Sequence, residues 1–226
     1  AEKNRGRSSD VVAAEFLTFK LWQEFGEAAS GGVPTGVGGA MTSALLLENE
    51  FAIRPWVRAM LTHDDFYAAS TKAGLVRQPV DFVVSLMVAL GLQADEIGLW
   101  AMDRTGQRPL YPPNVSGWKH NGYWVNASAM AKRTETVRSV VWRSMQGYWS
   151  GDGLIHLKNG TIARDDVTET WRDEPLTVLD EILRLTDIHL TPGSYNALAS
   201  FAQNSERWER HDLFHLVLFA PELQVA

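Results

Sequence analysis

The residues whose types and spacing could support chemistry fall into a few short clusters. His211-Asp212-Leu213-Phe214-His215 sets two imidazoles four positions apart. On a helix that spacing puts both on one face, the arrangement of a His-Glu-x-x-His zinc site. Asp212 is shorter than the glutamate such a site uses as its base, and beyond Glu206, Glu209 or a distant histidine no third ligand is evident. His211 and His215 are therefore read as histidines on a helix surface, with no metal and no cofactor expected. His63-Asp64-Asp65, Asp165-Asp166 and Asp173-Glu174 gather carboxylates where helices should begin or in polar stretches, so capping and solvated charge account for them. Gly31 to Gly39 is glycine-rich, but no Lys-Ser/Thr follows Gly39 and Met41 stands where a dinucleotide fingerprint has its third glycine. That run reads as a loop between helices, with a lid as its functional alternative. Ser116 has His120 as its one nearby base and sits in no Gly-x-Ser-x-Gly elbow. No residue is assigned a catalytic role.

A denser cluster is aromatic. Tyr111, Asn114, Trp118, His120, Asn121, Tyr123 and Trp124 lie within fourteen consecutive positions of a segment rich in proline and glycine. Flat rings beside amide side chains suit a sugar ring or an extended peptide, and these seven residues are the candidate ligand-binding set. A structural alternative stands beside this reading. Pro112, Pro113 and Trp118 could simply fasten an irregular segment onto a core, because proline removes donors and tryptophan buries area.

The elements that must position these groups are helical. Val11, Val12, Phe16, Phe19 and Trp22 recur at helical spacing after a cap at Ser9 or Asp10. Further helices are expected from Met41 to Glu50, after Arg54-Pro55, from Pro79 through Leu92, from Ala94 to Met102 and from Asn126 to Met145. Three more follow, at 175–186, at 191–204 with Thr191 as cap, and at 211–219. The helix opened by Pro79 is apolar almost all round and is expected at the centre of the core. Trp22, Trp56, Trp100 and Trp142 fall in helical patterns and are expected to be buried. Leu154–Leu157 and Thr161–Ala163 flank Asn159-Gly160 as a small hairpin would. There is no strand–helix alternation, so Rossmann and barrel architectures are improbable. The expected fold is all-α: a single irregular multi-helix domain over 1–226, a long ordered Pro/Trp loop, one small β-hairpin, and an insertion at 146–173.

Composition narrows the class. The chain has 226 residues, no cysteine, nine tryptophans and 45% hydrophobic residues, and 21 basic against 27 acidic side chains leave a net charge of −6. Thiol nucleophiles, cysteine–zinc sites and iron–sulfur clusters are excluded. The acidic balance argues against nucleic acid as a partner. No stretch approaches the ~20 apolar residues of a membrane span. The polar start at Ala1-Glu2-Lys3-Asn4-Arg5 reads as cut from something longer.

Several segments resemble one bacterial family. Tyr111-Pro112-Pro113-Asn114-Val115-Ser116-Gly117-Trp118, followed by Tyr123-Trp124-Val125-Asn126, is similar to the signature of the DUF1800 family. Phe16 with Lys20-Leu21-Trp22 and Phe25, Arg58-Ala59-Met60-Leu61 with Phe66-Tyr67, Gln78 to Val84, and Leu216 to Gln224 resemble other family segments in the same order. Two stretches depart from the pattern: Arg104-Thr105-Gly106-Gln107 stands where Met-Gly-Gln is usual, and Lys119-His120-Asn121 replaces a Pro-Gly run. The resemblance implies the C-terminal half of a longer protein, whose missing N-terminal half is itself a partner. It also implies export to the periplasm or outside, and a DUF1501-type protein partner. It transfers no catalytic residue.

Three functions follow as expectations. The first is an exported binding or assembly module contacting a partner protein or glycan through the aromatic loop. The second is a hydrolase whose active site is shared with the N-terminal half. The third is a purely structural half-domain.

Overall fold

The computed structural model describes residues 9–26, 43–68, 71, 74–93, 96–119, 121–144, 154–163, 174–206 and 212–225. Among them are ten α-helices, two short 3₁₀ turns and one two-stranded hairpin, so the all-α expectation and its small hairpin are both met. The chain divides into two compact units, residues up to 75 and Val76–Val225.

The first unit contains α1 (Ser9–Phe25), α2 (Ser43–Glu48), α3 (Ile53–Leu61) and a 3₁₀ turn at Asp64–Tyr67. Its core is Ala14, Trp22, Leu46, Trp56 and Met60, all fully buried. Trp22 meets Phe66 edge-on at 6.5 Å. Among the described residues, the indole N–H of Trp22 and the hydroxyl of Thr18, one turn earlier, find no hydrogen-bond partner. His63 caps the 3₁₀ turn, its Nδ1 accepting from the Asp65 N–H at 3.2 Å, so His63-Asp64-Asp65 is spent on a helix start. The cap falls on His63 rather than Thr62 because the Thr62 hydroxyl donates back to the Arg58 carbonyl at 2.9 Å and closes α3 instead.

The second unit is built around α4 (Pro79–Ala89), with α5 (Glu96–Thr105), α6 (Ala127–Ser144), α7 (Pro175–Thr186), α8 (Pro192–Asn204), α9 (Asp212–Leu218) and α10 (Pro221–Gln224). α4 buries Phe82, Val83, Leu86, Met87 and Ala89 and touches α5, α6, α7 and α10, the central position its composition implies. The hairpin pairs β1 (Leu154–Leu157) with β2 (Gly160–Ala163), Leu157 opposite Gly160. Its turn is Lys158-Asn159, one residue earlier than Asn159-Gly160. Tertiary bonds fix that register: the Lys158 N–H donates to the Ala89 carbonyl and the Asn159 N–H to that of Leu185, each at 3.0 Å. Gly91 must be glycine here, since its φ is +61° and a Cβ would stand 2.9 Å from the Leu157 carbonyl oxygen. The rest of the expected 146–173 insertion, at 146–153 and 164–173, lies beyond the described residues.

Two tryptophans depart from expectation. Trp100 and Trp142 are 44% and 58% exposed. On α5 the inward positions are Gly98, Ala101, Met102 and Thr105, which turns Trp100 outward, where the Arg104 guanidinium covers its ring at 5.4 Å. Helical periodicity identified the elements but not which stripe of each faces inward.

Arg133 on α6 is buried, and among the described residues it has no carboxylate partner. It donates to the Gln224 side-chain carbonyl at 2.9 Å and to the Arg77 backbone carbonyl at 2.5 Å, and lies over the Phe82 ring at 4.8 Å. Burial lowers its pKa to about 10, so it is still charged at neutral pH. Arg133→Met keeps the stem but orphans both acceptors, and should cost about 1–3 kcal/mol in chemical denaturation. Glu222 on α10 accepts from the Thr191 N–H at 2.9 Å and the Thr191 hydroxyl at 2.7 Å. Burial pushes its carboxyl up, but bonds from Thr191 and Ser194 outweigh that and hold it below the usual range. A depressed carboxylate stabilises above its unfolded pKa, and that stability is lost as pH falls through the folded value. Between about pH 5 and about pH 3 the wild-type melting temperature should therefore fall further than that of Glu222→Gln.

Candidate functional site

The aromatic segment starts where α5 ends. The Gly106 N–H donates to the Asp103 carbonyl and the Gln107 N–H to that of Met102, each at 3.0 Å, a Schellman closure with Gly106 at φ +100°. Gln107 is buried and spends its side chain on the start of α4. Its Oε1 accepts from the Val80 N–H at 3.0 Å and its Nε2 donates to the Gln78 Oε1 at 2.6 Å. Gln78, the residue at the cap position, makes no side-chain cap of its own, so Gln107 caps α4 from 27 residues away.

The far end of the segment is fastened as firmly. Residues Asn121–Val125 form a 3₁₀ turn. Asn121 takes a left-handed backbone, φ +50°, and its Oδ1 accepts from the Val76 N–H at 2.7 Å. Trp124 is 5% exposed, its Nε1 donates to the Lys119 carbonyl at 2.8 Å, and a Cβ on Gly106 would lie 3.5 Å from its ring. Asn126 caps α6 through the Ala129 N–H at 3.0 Å, as its position implies.

Between these fastenings the side chains turn outward. Tyr111 is 65% exposed, with the Arg108 guanidinium over its ring at 4.5 Å. Leu110 and Val115 stand almost wholly in solvent. Leu110 has φ +65°, a left-handed conformation that costs a branched residue about 1–2 kcal/mol. Pro112, Pro113 and Asn114 are exposed too, and the Asn114 Oδ1 accepts from the Ser116 N–H at 2.8 Å. Tyr123 is exposed and meets Trp124 edge-on at 5.0 Å, whereas Trp118 is half-buried.

The seven candidates thus separate. Trp124 and Asn121 hold the base, Trp118 lies between base and solvent, and Tyr111, Asn114 and Tyr123 are presented. His120 lies outside the described residues, which leaves its pairing with Ser116 undescribed. The sequence reading missed Leu110 and Val115, whose signal was a pair of aliphatic residues bracketing a Pro-Pro-Asn turn. It also missed Gln107, which no local pattern marks as a cap.

Other clusters fall in part beyond the described residues. Those include the glycine run at 31–39, Asp165-Asp166, Asp173 and His211. His215 Nδ1 lies 3.5 Å from the Asp212 carboxylate. Among the described residues no three His, Cys, Asp or Glu side chains gather as they would around a metal ion. The Glu174 carboxylate accepts from the Thr177 hydroxyl at 3.0 Å at the start of α7, a helix-start role.

Burial divides the two indoles in energy as well. Trp124→Ala should cost about 3–5 kcal/mol, as loss of a large core aromatic does. Trp118→Ala should cost clearly less, and Gly106→Ala about 1–2 kcal/mol from its left-handed backbone. Thermal and denaturant unfolding of the three variants measures this order.

Comparison with known proteins places the chain by family alone. The model for "Protein of unknown function (DUF1800)" matches residues 9–225. No curated protein and no solved structure matches the chain. With nearly its whole length covered, including both fastenings and the exposed tip of the loop, the chain belongs to the DUF1800 family.

Proposed function

We propose that this protein is a binding module that docks a partner protein through the tip of the 108–118 loop, with Tyr123 beside it. The observation that carries the reading is Leu110. Its backbone is held in a disfavoured left-handed conformation while its side chain is 95% exposed. Such strain returns nothing to the folded chain, and strain of this kind gathers at recognition sites. Val115 adds a second exposed aliphatic group, and Pro112-Pro113 limits the ordering entropy that docking costs.

The chemistry favours protein over glycan. A sugar platform needs a free ring face with amides aimed beside it. Here one face of Tyr111 carries Arg108, and the Oδ1 atoms of Asn114 and Asn121 are engaged by backbone N–H groups. The partner surface that fits is an apolar pocket for Leu110, Tyr111 and Val115, with an acidic rim facing Arg108 and Lys119. Family resemblance adds export and a DUF1501-type protein as the partner of this reading.

Leu110→Asn tests it cleanly, because asparagine tolerates the left-handed region yet removes the apolar group. Its melting temperature should equal or exceed that of the wild type. Together with Val115→Asp, it should weaken binding of a purified DUF1501-type protein at least about tenfold, the loss expected for an interface hot spot. Unchanged affinity would sink the proposal. Glycan retention that Tyr111→Ala abolishes would replace it with the sugar-binding reading.

A further inference from the structure

α3 in the first unit carries a feature that the loop does not explain. Its outer side forms an open groove of about 930 Å³ lined by Arg54, Val57, Arg58, Leu61 and Thr62. The spacing sorts these residues into two parallel rows. Arg54, Arg58 and Thr62 follow one another at four-residue steps, and so do Val57 and Leu61, which puts each row on adjacent helical turns. One row is cationic and one apolar. Arg54 and Arg58 are exposed, and among the described residues neither guanidinium has an ionic or hydrogen-bonding partner. Leu61 is 39% exposed and Val57 half-buried. The inner side of the same helix is occupied by Trp56 and Met60, so α3 is already fully supported without the groove. In an acidic chain of net charge −6, two unpaired arginines beside an apolar strip serve no internal ion pair.

We propose that this groove binds an acidic amphipathic segment of a partner protein, with carboxylates about one helical turn apart meeting Arg54 and Arg58 and an apolar residue seated against Val57 and Leu61. Charge complementarity selects the anionic partner, because a guanidinium presents a planar fork that matches a carboxylate in bidentate fashion. The two-row pattern selects a segment over a lone ion. Hydrated surface arginines hold a single small anion weakly, whereas a segment that also covers the apolar row adds hydrophobic burial. Helical carboxylates at i and i+4 have the same spacing as the two arginines. The groove lies in a different unit from the 108–118 loop, so either site can fail its test without the other.

The test uses the full chain and a fluorescein-labelled synthetic helical peptide with glutamates at i and i+4 flanked by leucines. Three competitors are a charge-reversed lysine peptide, inorganic phosphate, and vesicles of anionic phospholipid. The acidic peptide should bind, with affinity falling several-fold as salt rises from about 50 mM to about 500 mM, since the exposed pairs are screened. Arg54→Glu with Arg58→Glu should weaken it at least tenfold and gain affinity for the lysine peptide, and Arg138→Glu on α6 should leave both unchanged. Arg54→Gln with Arg58→Gln, which introduces no repulsion, should give an intermediate loss and guards against an unfolded double-glutamate variant. Equal binding of the two peptides, or insensitivity to both double variants, overturns the proposal. So does retention on vesicles, or displacement of the peptide by phosphate at equimolar concentration.

Discussion

Residues 76–82 are where the second unit is held together. A helix as apolar as α4 belongs in a core, yet its first turn carries backbone donors with no partner inside the helix. Segments distant in sequence converge to satisfy them and their neighbours. Gln107 takes the Val80 N–H and Asn121 the Val76 N–H. The Gln224 carbonyl takes the Arg77 N–H, and Val76 pairs antiparallel with Val225. Arg133 caps the Arg77 carbonyl and covers Phe82. Burying the start of α4 thus requires the loop, the 3₁₀ turn, α6 and the C-terminal residues to be in place together. The unit closes around polar satisfaction as much as apolar area.

That constraint explains the form of the aromatic loop. Its two ends are engaged in satisfying α4, through Gln107 at one side and Asn121 at the other, and Trp124 packs behind Gly106. The residues between them have no such task. They carry Leu110, Tyr111 and Val115 outward between two fastened ends. The two surfaces proposed for recognition differ in chemistry. The loop offers an apolar tip, and α3 offers a cationic row beside an apolar one.

Much of this was legible in the residues. Periodicity and caps placed the helices near their observed ends: Thr191 and Asn126 cap as their types require, and Pro79, Pro175 and Pro192 each open a helix. Local turn chemistry located the hairpin but missed its turn by one residue, because bonds from Lys158 and Asn159 to α4 and α7 outweigh the preference for Asn-Gly at the corner. The tryptophans were harder. Trp22 and Trp56 are fully buried, whereas Trp100 and Trp142 are exposed, although all four sit in helices. A helix pattern defines a stripe, and the neighbour that covers it is chosen by packing across the chain.

For the candidate site the division is sharper. The sequence by itself determined that the unit is helical, that a stiff Pro/Trp segment interrupts it, and that the family is DUF1800, since these rest on residue types and spacings along the chain. Only the tertiary structure decided which aromatic residues of that segment are structural and which are presented. Trp124 faces inward because Gly106 leaves room for its ring and Lys119 offers a carbonyl to its N–H, whereas Tyr111 is 65% exposed with the Arg108 guanidinium over its ring. Burial is a property of the surroundings, and the two ends of this segment are fixed by residues 76–80, which lie 27 and 45 positions away in the chain.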